Sequence, residues 1–383
     1  MKTASGKVKT VGILGAGQLA RMLAQAGQAM GLEFIFLDPA GDVCAASLGE
    51  HICADWHDQV ALRKLAQLAD VVTFEFENIP EQSVRLIESI CPVYPPSKAL
   101  YISQDRLREK TCLQALHIPV ALFYPVTSRP ELLNAMEQIG LPCVLKTRRL
   151  GYDGKGQTVL RFKEDLERAW QILGDHDLLC EGFVPFDVEC SIIAVRGQDG
   201  RTAYWPLTRN LHRDGVLAIS QAPAFDRQTQ TRAEALVKRL LDHLDYIGVL
   251  ALELFLQDGE LLANEFAPRV HNSGHWTIDG ADTSQFENHL RAICDLPMGE
   301  TRNNSQALMF NLLGEMPNDV NMASMAGVHW HDYHKVVRAG RKLGHVTVTA
   351  QTEPGLKAMA VQLATKLGVA AELNLEAIFQ HGG

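Results

Sequence analysis

The sequence lacks the features that mark secreted, membrane and zinc-binding proteins. Its 383 residues contain no run of about 18 apolar residues and no signal peptide, because a polar N-terminus leads straight into a strand pattern. Eight cysteines are present, but none forms a CxxC pair, and their scatter is typical of reduced thiols in a protein core. We therefore expect a soluble protein of the cytoplasm.

An excess of positive charge is also missing. Lysine and arginine number 36 against 45 aspartate and glutamate residues, which gives a formal net charge of −9. Proteins that bind nucleic acid through their overall charge are usually basic, so neither nucleic acid nor a membrane surface is an expected partner. An acidic protein can still bind anions where its basic residues gather in one cleft.

The composition is that of a globular protein with more than one folded unit. Hydrophobic residues make up 46% and charged residues 21% of the chain, and 383 residues exceed the size of one ordinary core. We see no internal repeat and no low-complexity linker, so the domain boundaries rest on changes of pattern. We place three domains at 1–108, 109–298 and 299–383.

The first domain alternates strands and helices. A buried strand ends in the glycines of VGILGAG, and the later pattern predicts helices over 18–31 and 57–68 with strands over 33–38 and 71–76. This βαβαβ order is typical of an α/β domain with a parallel sheet and helices on both faces.

Strands are mixed with helices after residue 94, as in an α+β region. A long helix is predicted over 229–244 and another over 354–366, and the C-terminal part is expected to be small and rich in strands. The predicted strands include 141–149, 156–162, 201–210, 248–257, 259–266, 307–313, 334–340 and 344–350.

The first glycine motif fits a dinucleotide-binding fingerprint. Gly15, Gly17 and Ala20 match G-x-G-x-x-G/A between a strand and a helix, and Asp38 lies about 20 residues further on. Glycines at this point let a ligand approach a helix N-terminus, which suits an anion. The chain nevertheless lacks a second βαβαβ half and carries a separate nucleotide apparatus, so the motif marks the fold more surely than it marks NAD binding.

That separate apparatus begins with a strand lysine and a glycine-rich loop. Lys146 ends a predicted strand, and the loop that follows contains a second lysine, Lys155. Small residues leave backbone N–H groups open to a triphosphate, and the lysines supply charge. The pattern is not G-x-x-x-x-G-K-[ST], which excludes a P-loop; an ordinary surface hairpin remains the alternative. The loop residues are Gly151, Tyr152, Asp153, Gly154, Lys155, Gly156 and Gln157.

Two acidic residues lie in apolar strands on either side of a turn. A two-residue loop at 258–259 would place Glu253 opposite Asn264, and one extra loop residue would place it opposite Glu265. Either register brings two carboxylates and an amide to one end of a ribbon, where they would suit Mg²⁺ bound beside phosphates. The alternative is a pair of solvent-facing acids on an edge hairpin.

The segment after this hairpin carries cationic and hydrogen-bonding groups. Arg269, His271 and Asn272 follow Glu265 within a few residues, in the segment PRVHNSGHW. Such groups beside a metal site suit a small oxyanion or a phosphate under attack. Each histidine could equally be a loop residue that is satisfied by its neighbours.

A strand lysine, a glycine loop and a hairpin that ends in Glu…Asn-Glu resemble the ATP-grasp superfamily. The segments GAGQLARM, TFEFENIP, QDRLREK, KTRRLGYDGKGQ and NEFAPRVHNSGHWT closely resemble the N5-carboxyaminoimidazole ribonucleotide synthase family over nearly the whole chain. The resemblance implies a Rossmann-like N-terminal domain, a central ATP-grasp fold and a small C-terminal β-rich domain. It also implies a homodimeric ligase that uses ATP and Mg²⁺ to attach bicarbonate to the amine of 5-aminoimidazole ribonucleotide.

The resemblance also implies a role for particular residues. Glu253 and Glu265 would hold Mg²⁺, and Asp153, Arg269, His271 and Asn272 would serve the chemistry. ATP would be held by Arg106, Lys146, the loop 151–157, Glu181, Gly182, Phe183, Val184, Glu189, His212, Asn264 and Glu265. The ribotide would meet Gln18, Glu75, Asn78, Tyr152, Asp153, Arg341 and Lys342.

The implied reaction has rivals that the sequence alone leaves open. Bicarbonate would be phosphorylated to carboxyphosphate, and the amine would attack either that anhydride or the CO₂ released from it. The rival functions are a formate-using ribotide transformylase, an NAD-dependent dehydrogenase and a non-catalytic nucleotide-binding regulator. Departures from the family pattern are small: Ala20 stands where the family often has glycine, and a short polar segment precedes the first strand.

Overall fold

The structure is a computed structural model that describes residues 8–151, 155–317, 325–369 and 375–379. Its strands are β1 Thr10–Leu14, β2 Glu33–Asp38, β3 Glu50–Cys53, β4 Val71–Phe74, β5 Phe123–Val126, β6 Cys143–Thr147, β7 Gln157–Leu160, β8 Leu178–Gly182, β9 Val188–Arg196, β10 Thr202–Tyr204, β11 Thr208–Arg213, β12 Val216–Ala222, β13 Gly248–Gln257, β14 Glu260–Ala267, β15 Gln306–Leu313, β16 Val328–Asp332 and β17 Lys342–Ala350.

The α-helices lie between these strands and after the last of them. They are α1 Gln18–Gln28, α2 Gln59–Leu68, α3 Glu81–Glu88, α4 Ser97–Ser103, α5 Arg106–Ala115, α6 Arg129–Ile139, α7 Asp165–Leu173, α8 Arg227–His243, α9 Thr277–Gly280, α10 Gln285–Ile293, α11 Glu353–Lys366 and α12 Leu375–Phe379. No helix in the described ranges is long and apolar enough to cross a membrane.

The N-terminal strands form the parallel sheet that the sequence predicts. Their order is β3-β2-β1-β4, and all three pairings are parallel. Val11 and Leu14 of β1 are buried in two different hydrophobic clusters, so both faces of the sheet are covered. Helix α2, which follows β3, begins after Asp58, whose carboxylate accepts hydrogen bonds from the backbone N–H groups of Val60 and Ala61.

The glycine motif of this domain surrounds a carboxylate from the chain itself. Glu75, just after β4, accepts hydrogen bonds from the backbone N–H groups of Gly17 and Ala20 at the start of α1. A Cβ on Gly15 would lie 2.5 Å from Glu75 Cγ, so glycine is needed for this close approach. The N–H groups that hold a pyrophosphate in dinucleotide-binding proteins therefore already donate to a side chain of the chain itself.

The remaining strands form a large and a small sheet. Within the described residues, the large sheet has the order β14-β13-β9-β11-β12-β15-β17-β16, with β10 paired to β9. The small sheet has the order β5-β8-β6-β7, and its β6–β7 hairpin confirms the predicted pair of strands around the glycine loop. The C-terminal strands β15–β17 continue the large sheet through the β12–β15 pairing. The domain boundaries at 108 and 298 stay predictions.

Two strand predictions were wrong. The segment 334–340 contains no strand: β16 ends at Asp332, and His334 has a φ of 54°, which breaks the extended pattern. The segment 201–210 is two strands, because Trp205 and Pro206 interrupt it; Pro206 has no N–H to donate to a ladder. Trp205 of the second segment is fully buried, whereas the apolar residues of the first, Val336 and Val337, are exposed, so neither apolar run marks a continuous strand.

The Glu75 contact predicts that NAD and NADP do not bind this protein at micromolar concentration. The Glu75 side chain occupies the N–H groups of Gly17 and Ala20 and fills the space beside the glycines that a pyrophosphate would need. Isothermal titration with each dinucleotide should give no signal, while ATP should serve as the positive control. Tight binding of NAD would mean that Glu75 moves away and that the fingerprint is functional.

Candidate active site

The three sheets face a single large cleft with a volume of about 1150 Å³. Most of the residues that the sequence singled out line it, although they come from distant parts of the chain. The predicted residues in its wall are Gln18, Glu75, Asn78, Arg106, Lys146, Gly151, Lys155, Gln157, Glu181, Gly182, Phe183, Val184, Glu189, His212, Glu253, Asn264, Glu265, Arg269, His271, Asn272, Arg341 and Lys342.

The paired carboxylates owe their register to a β-bulge. The turn between β13 and β14 has two residues, since Gln257 pairs with Glu260, yet Glu253 lies opposite Glu265. The register shifts beside Glu253, where Asn264 is the extra residue on β14. The sequence left the two-residue turn and the Glu253–Glu265 pairing as alternatives, but the bulge allows both to occur together. Asn264, the bulged residue, directly precedes Glu265.

Each of these carboxylates is held by a cationic or hydrogen-bonding side chain. Glu253 Oε1 lies 3.1 Å from His271 Nε2, and Glu265 Oε2 accepts a hydrogen bond from Arg106 Nη1 at 2.8 Å. Burial alone would raise the pKa of Glu253, but His271, His212 and Arg269 outweigh burial and hold the pKa below its usual range. Glu253 is therefore anionic at neutral pH, and both acids line the cleft as oxygen donors.

A buried carboxylate is shared by two lysines at the nucleotide side of the cleft. Glu181 Oε2 accepts a hydrogen bond from Lys146 Nζ at 3.0 Å and lies 3.4 Å from Lys110 Nζ. Burial opposes ionisation of Glu181, yet Lys146, Lys110 and Arg106 lower its pKa to about 2. The anion holds both ammonium groups at the wall of the cleft, where an incoming phosphate group could draw on them.

Apolar side chains line the cleft next to this charged cluster. Phe186 and Phe255 stack with ring centroids 4.7 Å apart, and the segment 181–184 forms the adjoining wall. His212 Nδ1 lies 2.6 Å from Glu189 Oε2 at the same end. An apolar slot edged by a carboxylate suits an adenine ring attached to a ribose.

Cationic residues gather at the opposite end, beside the N-terminal sheet. Lys335 donates a hydrogen bond to Gln18 Oε1, and Arg269 is paired with Glu77. Burial lowers the pKa of Lys335. Arg341 and Lys342 line the same part of the cleft, which therefore suits a phosphate ester.

Family models match three consecutive parts of the chain. A ribonucleotide synthetase preATP-grasp domain matches residues 8–104, an ATP-grasp domain matches 111–286, and a phosphoribosylaminoimidazole carboxylase C-terminal domain matches 307–359. N5-carboxyaminoimidazole ribonucleotide synthase of Pseudomonas aeruginosa is 49% identical over 353 residues, which cover 92% of this chain and 98% of that protein. The chain belongs to the N5-carboxyaminoimidazole ribonucleotide synthase family.

Solved structures agree with this family and its ATP-grasp fold. The synthetase of Thermus thermophilus has a TM-score of 0.90 at 48% identity, with 93% of this chain and 98% of that chain covered. The synthase of Aspergillus clavatus, in complex with ADP and 5-aminoimidazole ribonucleotide, has a TM-score of 0.87 at 29% identity, with 96% and 100% covered. This family of ATP-grasp ligases works in purine biosynthesis, and the Aspergillus clavatus member binds ADP in its structure.

Four loop residues that the family resemblance singled out are not in the described wall. Tyr152, Asp153 and Gly154 lie outside the described residues. Gly156 is described but does not line the cleft: its φ is 70°, and a Cβ there would lie 2.6 Å from Thr147 Oγ1. Gly156 is therefore needed for the conformation of the β6–β7 hairpin and does not form part of the cleft wall.

Charged residues in the wall that the sequence reasoning missed include Lys110, Lys335 and Glu77. Lys110 follows Arg106 by one helical turn on α5, so the i, i+4 spacing could have revealed it. Lys335 was placed in a strand, which hid its position beside Gln18. Glu77 lies two residues beyond Glu75 and was not considered as the partner of an arginine.

The oxygen donors of the hairpin fit a magnesium ion. Asn264 Oδ1 is buried and has no hydrogen-bond partner among the described residues, and Asn264 directly precedes Glu265 on β14. The described ranges contain no group of three or more His, Cys, Asp or Glu residues with the geometry of a metal site. Mg²⁺ bound with a nucleotide takes one or two protein carboxylates and completes its shell with phosphate and water, so this donor set is sufficient.

The Glu181 cluster predicts a stability difference that depends on pH. Because the folded pKa of about 2 lies below the ordinary value of 4.5, ionised Glu181 stabilises the fold above pH 4.5. That contribution, about 3 kcal/mol at most, is lost as the pH falls towards 2. Glu181→Gln should therefore lower the free energy of unfolding most at neutral pH, with the deficit shrinking in acid.

Urea unfolding at a series of pH values measures this deficit. Glu164→Gln is the matched control, because Glu164 is exposed. A deficit for Glu181→Gln that stays constant from neutral pH to the acid limit would show that its carboxylate is not stabilised by the lysines.

Proposed function

We propose that this protein catalyses the ATP-dependent carboxylation of 5-aminoimidazole ribonucleotide with bicarbonate, which gives N5-carboxyaminoimidazole ribonucleotide, ADP and phosphate in purine biosynthesis. The observation that carries the proposal is the single cleft in which an adenine-sized apolar slot, two opposed carboxylates and a cationic end follow one another. The structure of the Aspergillus clavatus relative contains ADP and 5-aminoimidazole ribonucleotide, which supports a site for both kinds of ligand.

ATP occupies the slot beside the small sheet. Glu181 to Val184 and the Phe186–Phe255 pair surround the base, and Glu189 accepts hydrogen bonds from the ribose. Lys146, Arg106 and the loop 151–157 approach the phosphates, where their charge offsets the anion as the γ-phosphoryl group is transferred.

Glu253, Glu265 and Asn264 hold Mg²⁺ when the nucleotide is bound. The ion neutralises phosphate charge and helps to align the γ-phosphoryl group with its acceptor. On this assignment the pairing of Glu265 with Arg106 gives way to contacts of both side chains with the metal–nucleotide complex. The buried, unpartnered Asn264 Oδ1 supports an oxygen-seeking ligand at this point.

Arg269, His271 and Asn272 receive bicarbonate. An oxygen of bicarbonate attacks the γ-phosphorus, the bond to the β–γ bridging oxygen breaks, and ADP leaves with the electron pair. The amine of the ribotide then attacks the carboxyl carbon of carboxyphosphate, phosphate departs, and the amine proton passes to a base, for which Asp153 is our candidate. Both Asn272 side-chain atoms are buried without a hydrogen-bond partner among the described residues, which supports a polar ligand there.

The ribotide lies between the N-terminal sheet and the C-terminal strands. Gln18, Glu75 and Asn78 face its base and sugar, and Arg341 and Lys342 bind its phosphate, with Lys335 as a further cation. The homodimer and the cytoplasmic location that the family resemblance implies belong to this proposal; light scattering on the purified protein tests the dimer.

The proposal predicts which small acid drives phosphate release from ATP. Steady-state release should require bicarbonate, should be slow with bicarbonate and ATP alone, and should rise several-fold or more when 5-aminoimidazole ribonucleotide is added, because the acceptor completes the closed site. Formate in place of bicarbonate serves as the discriminating control. Release driven by formate, or unaffected by the ribotide, would assign the protein to a different ligase reaction.

The metal assignment predicts that Glu265→Gln lowers kcat at least about 100-fold while the protein stays folded, since a neutral amide is a poor ligand for Mg²⁺. Glu260→Gln is the matched control on the same strand, because the Glu260 side chain is 79% exposed at the turn. Circular dichroism should be unchanged for both variants. Near-normal turnover of Glu265→Gln at saturating Mg²⁺ would remove Glu265 from the metal site.

A further inference from the structure

The two residues that join helices α4 and α5 lie between the ribotide side of the cleft and the segment 148–151, which we call the loop base because the glycine-rich loop begins there. Gln104 follows α4 and Asp105 precedes α5, so no other residue separates the two helices. Both side chains are buried, with Gln104 9% and Asp105 3% exposed. Buried polar groups are costly unless they are hydrogen-bonded, so their partners show what this junction holds.

The Gln104 side chain contacts both sides of the junction. Its Nε2 donates hydrogen bonds to the backbone carbonyl oxygens of Glu77 and Ile79, at 2.8 and 2.6 Å. Its Oε1 accepts a hydrogen bond from Arg149 Nη2 at 3.4 Å. Carbonyl groups only accept and a guanidinium only donates, so this is the orientation of the amide that satisfies all three contacts. Because Glu77 and Ile79 flank Asn78, Gln104 joins the ribotide side of the cleft to the loop base.

The Asp105 carboxylate caps α5 and also holds the loop base. Its Oδ1 accepts a hydrogen bond from the backbone N–H of Leu107 at 3.0 Å. The Arg148 guanidinium donates to both carboxylate oxygens, from Nε to Oδ1 at 3.1 Å and from Nη2 to Oδ2 at 2.7 Å. Burial alone would raise the pKa of Asp105, but Arg148 outweighs burial and holds the pKa below its usual range. Two parallel bonds fix the direction of the guanidinium as well as its distance.

Arg106, the first residue of α5, adds two contacts to the same segment. Its backbone N–H donates to the carbonyl oxygen of Arg148 at 2.9 Å, and its Nη2 donates to the carbonyl oxygen of Gly151 at 3.3 Å. The consecutive residues 104–106 therefore hold the loop base at Arg148, Arg149 and Gly151, and they hold the loop 77–79 at two carbonyl groups.

We propose that Gln104 and Asp105 are positioning residues that couple the ribotide side of the cleft to the loop base. A ribotide that binds beside Asn78 fixes the loop 77–79 and with it the Gln104 amide.

Gln104 and the adjoining Asp105 then fix the loop base, so the acceptor favours the arrangement of phosphate ligands in which ATP reacts. This coupling rests on the proposed function, whereas the attachment of the loop base to Asp105 does not.

Hydrogen exchange on the full chain without ligands tests the attachment. Asp105→Asn keeps a side-chain oxygen that can cap α5, because asparagine caps helices about as well as aspartate, but it removes the ionic pair with Arg148. Arg148→Lys keeps the positive charge but cannot form two parallel bonds. Each variant should raise the exchange rate of the backbone amides in a peptide that covers 146–151. Unchanged exchange in both variants would overturn the proposal whatever the protein catalyses.

Phosphate release tests the coupling through the ratio of the rates with and without ribotide, at saturating ATP and bicarbonate. Asp105→Asn, Arg148→Lys and Gln104→Met should each lower this ratio about 2- to 30-fold, the range that mutations in coupled networks cover. A general structural defect would lower both rates alike and leave the ratio unchanged. An unchanged ratio in all three variants would overturn the coupling alone, whereas a wild-type rate that does not respond to the ribotide would overturn the proposed function and the coupling together.

Asp58→Asn is the matched control, because Asp58 caps α2 as Asp105 caps α5 but is exposed. It should keep the wild-type ratio and the wild-type exchange of the peptide 146–151. The double variant of Asp105→Asn and Arg148→Lys should lower the ratio no further than the more affected single variant, because both changes break the same pair of bonds. Fully additive effects would show that the two residues act separately and would overturn this route of coupling. If Asp105→Asn does not fold, the exchange and the ratio of Arg148→Lys decide the question.

Discussion

The direct opposition of Glu253 and Glu265 is the constraint around which the site is arranged. Like charges opposite each other on neighbouring strands are destabilising, and the Glu253 carboxylate is largely withdrawn from bulk water. Each carboxylate has a partner that offsets this repulsion: His271 contacts Glu253, and Arg106 donates a hydrogen bond to Glu265. The same opposition is what makes the hairpin a place for a divalent cation, because a charge of +2 satisfies both acids at once.

A second set of buried charges follows the same logic with the signs reversed. Lys110 and Lys146 would repel each other, and Glu181 between them makes their burial tolerable. The cleft thus contains two carboxylates paired with His271 and Arg106 on one wall, and two lysines paired with a carboxylate on the other. When a metal–nucleotide complex binds, the metal ion can contact the carboxylates of one wall and the phosphates can contact the lysines of the other, so each of these charges keeps a partner of opposite charge.

Sequence patterns predicted the parts of the fold that are determined by residues close together in the chain. The parallel N-terminal sheet, the glycine hairpin and the β13–β14 ribbon all follow from periodicity and turn residues. The bulge at Asn264 did not, because a turn of two residues and a turn of three were both compatible with the sequence. The contact between Glu75 and Gly17 could not be predicted either, because a glycine motif shows where the backbone must be unobstructed but does not show which group approaches it.

Contacts between strands that are distant in sequence could not be predicted from sequence patterns. Ser191 and Asn210 look like isolated polar residues in their strands, and only the order β9-β11-β12 shows that they are hydrogen-bonded neighbours. Lys335 was assigned to a strand because its neighbours are apolar, yet it reaches Gln18 across more than 300 residues of chain. Most of the residues in the cleft wall could be named from their sequence motifs, whereas their hydrogen-bond partners depend on tertiary neighbours. Such partners therefore have to be sought in the structure.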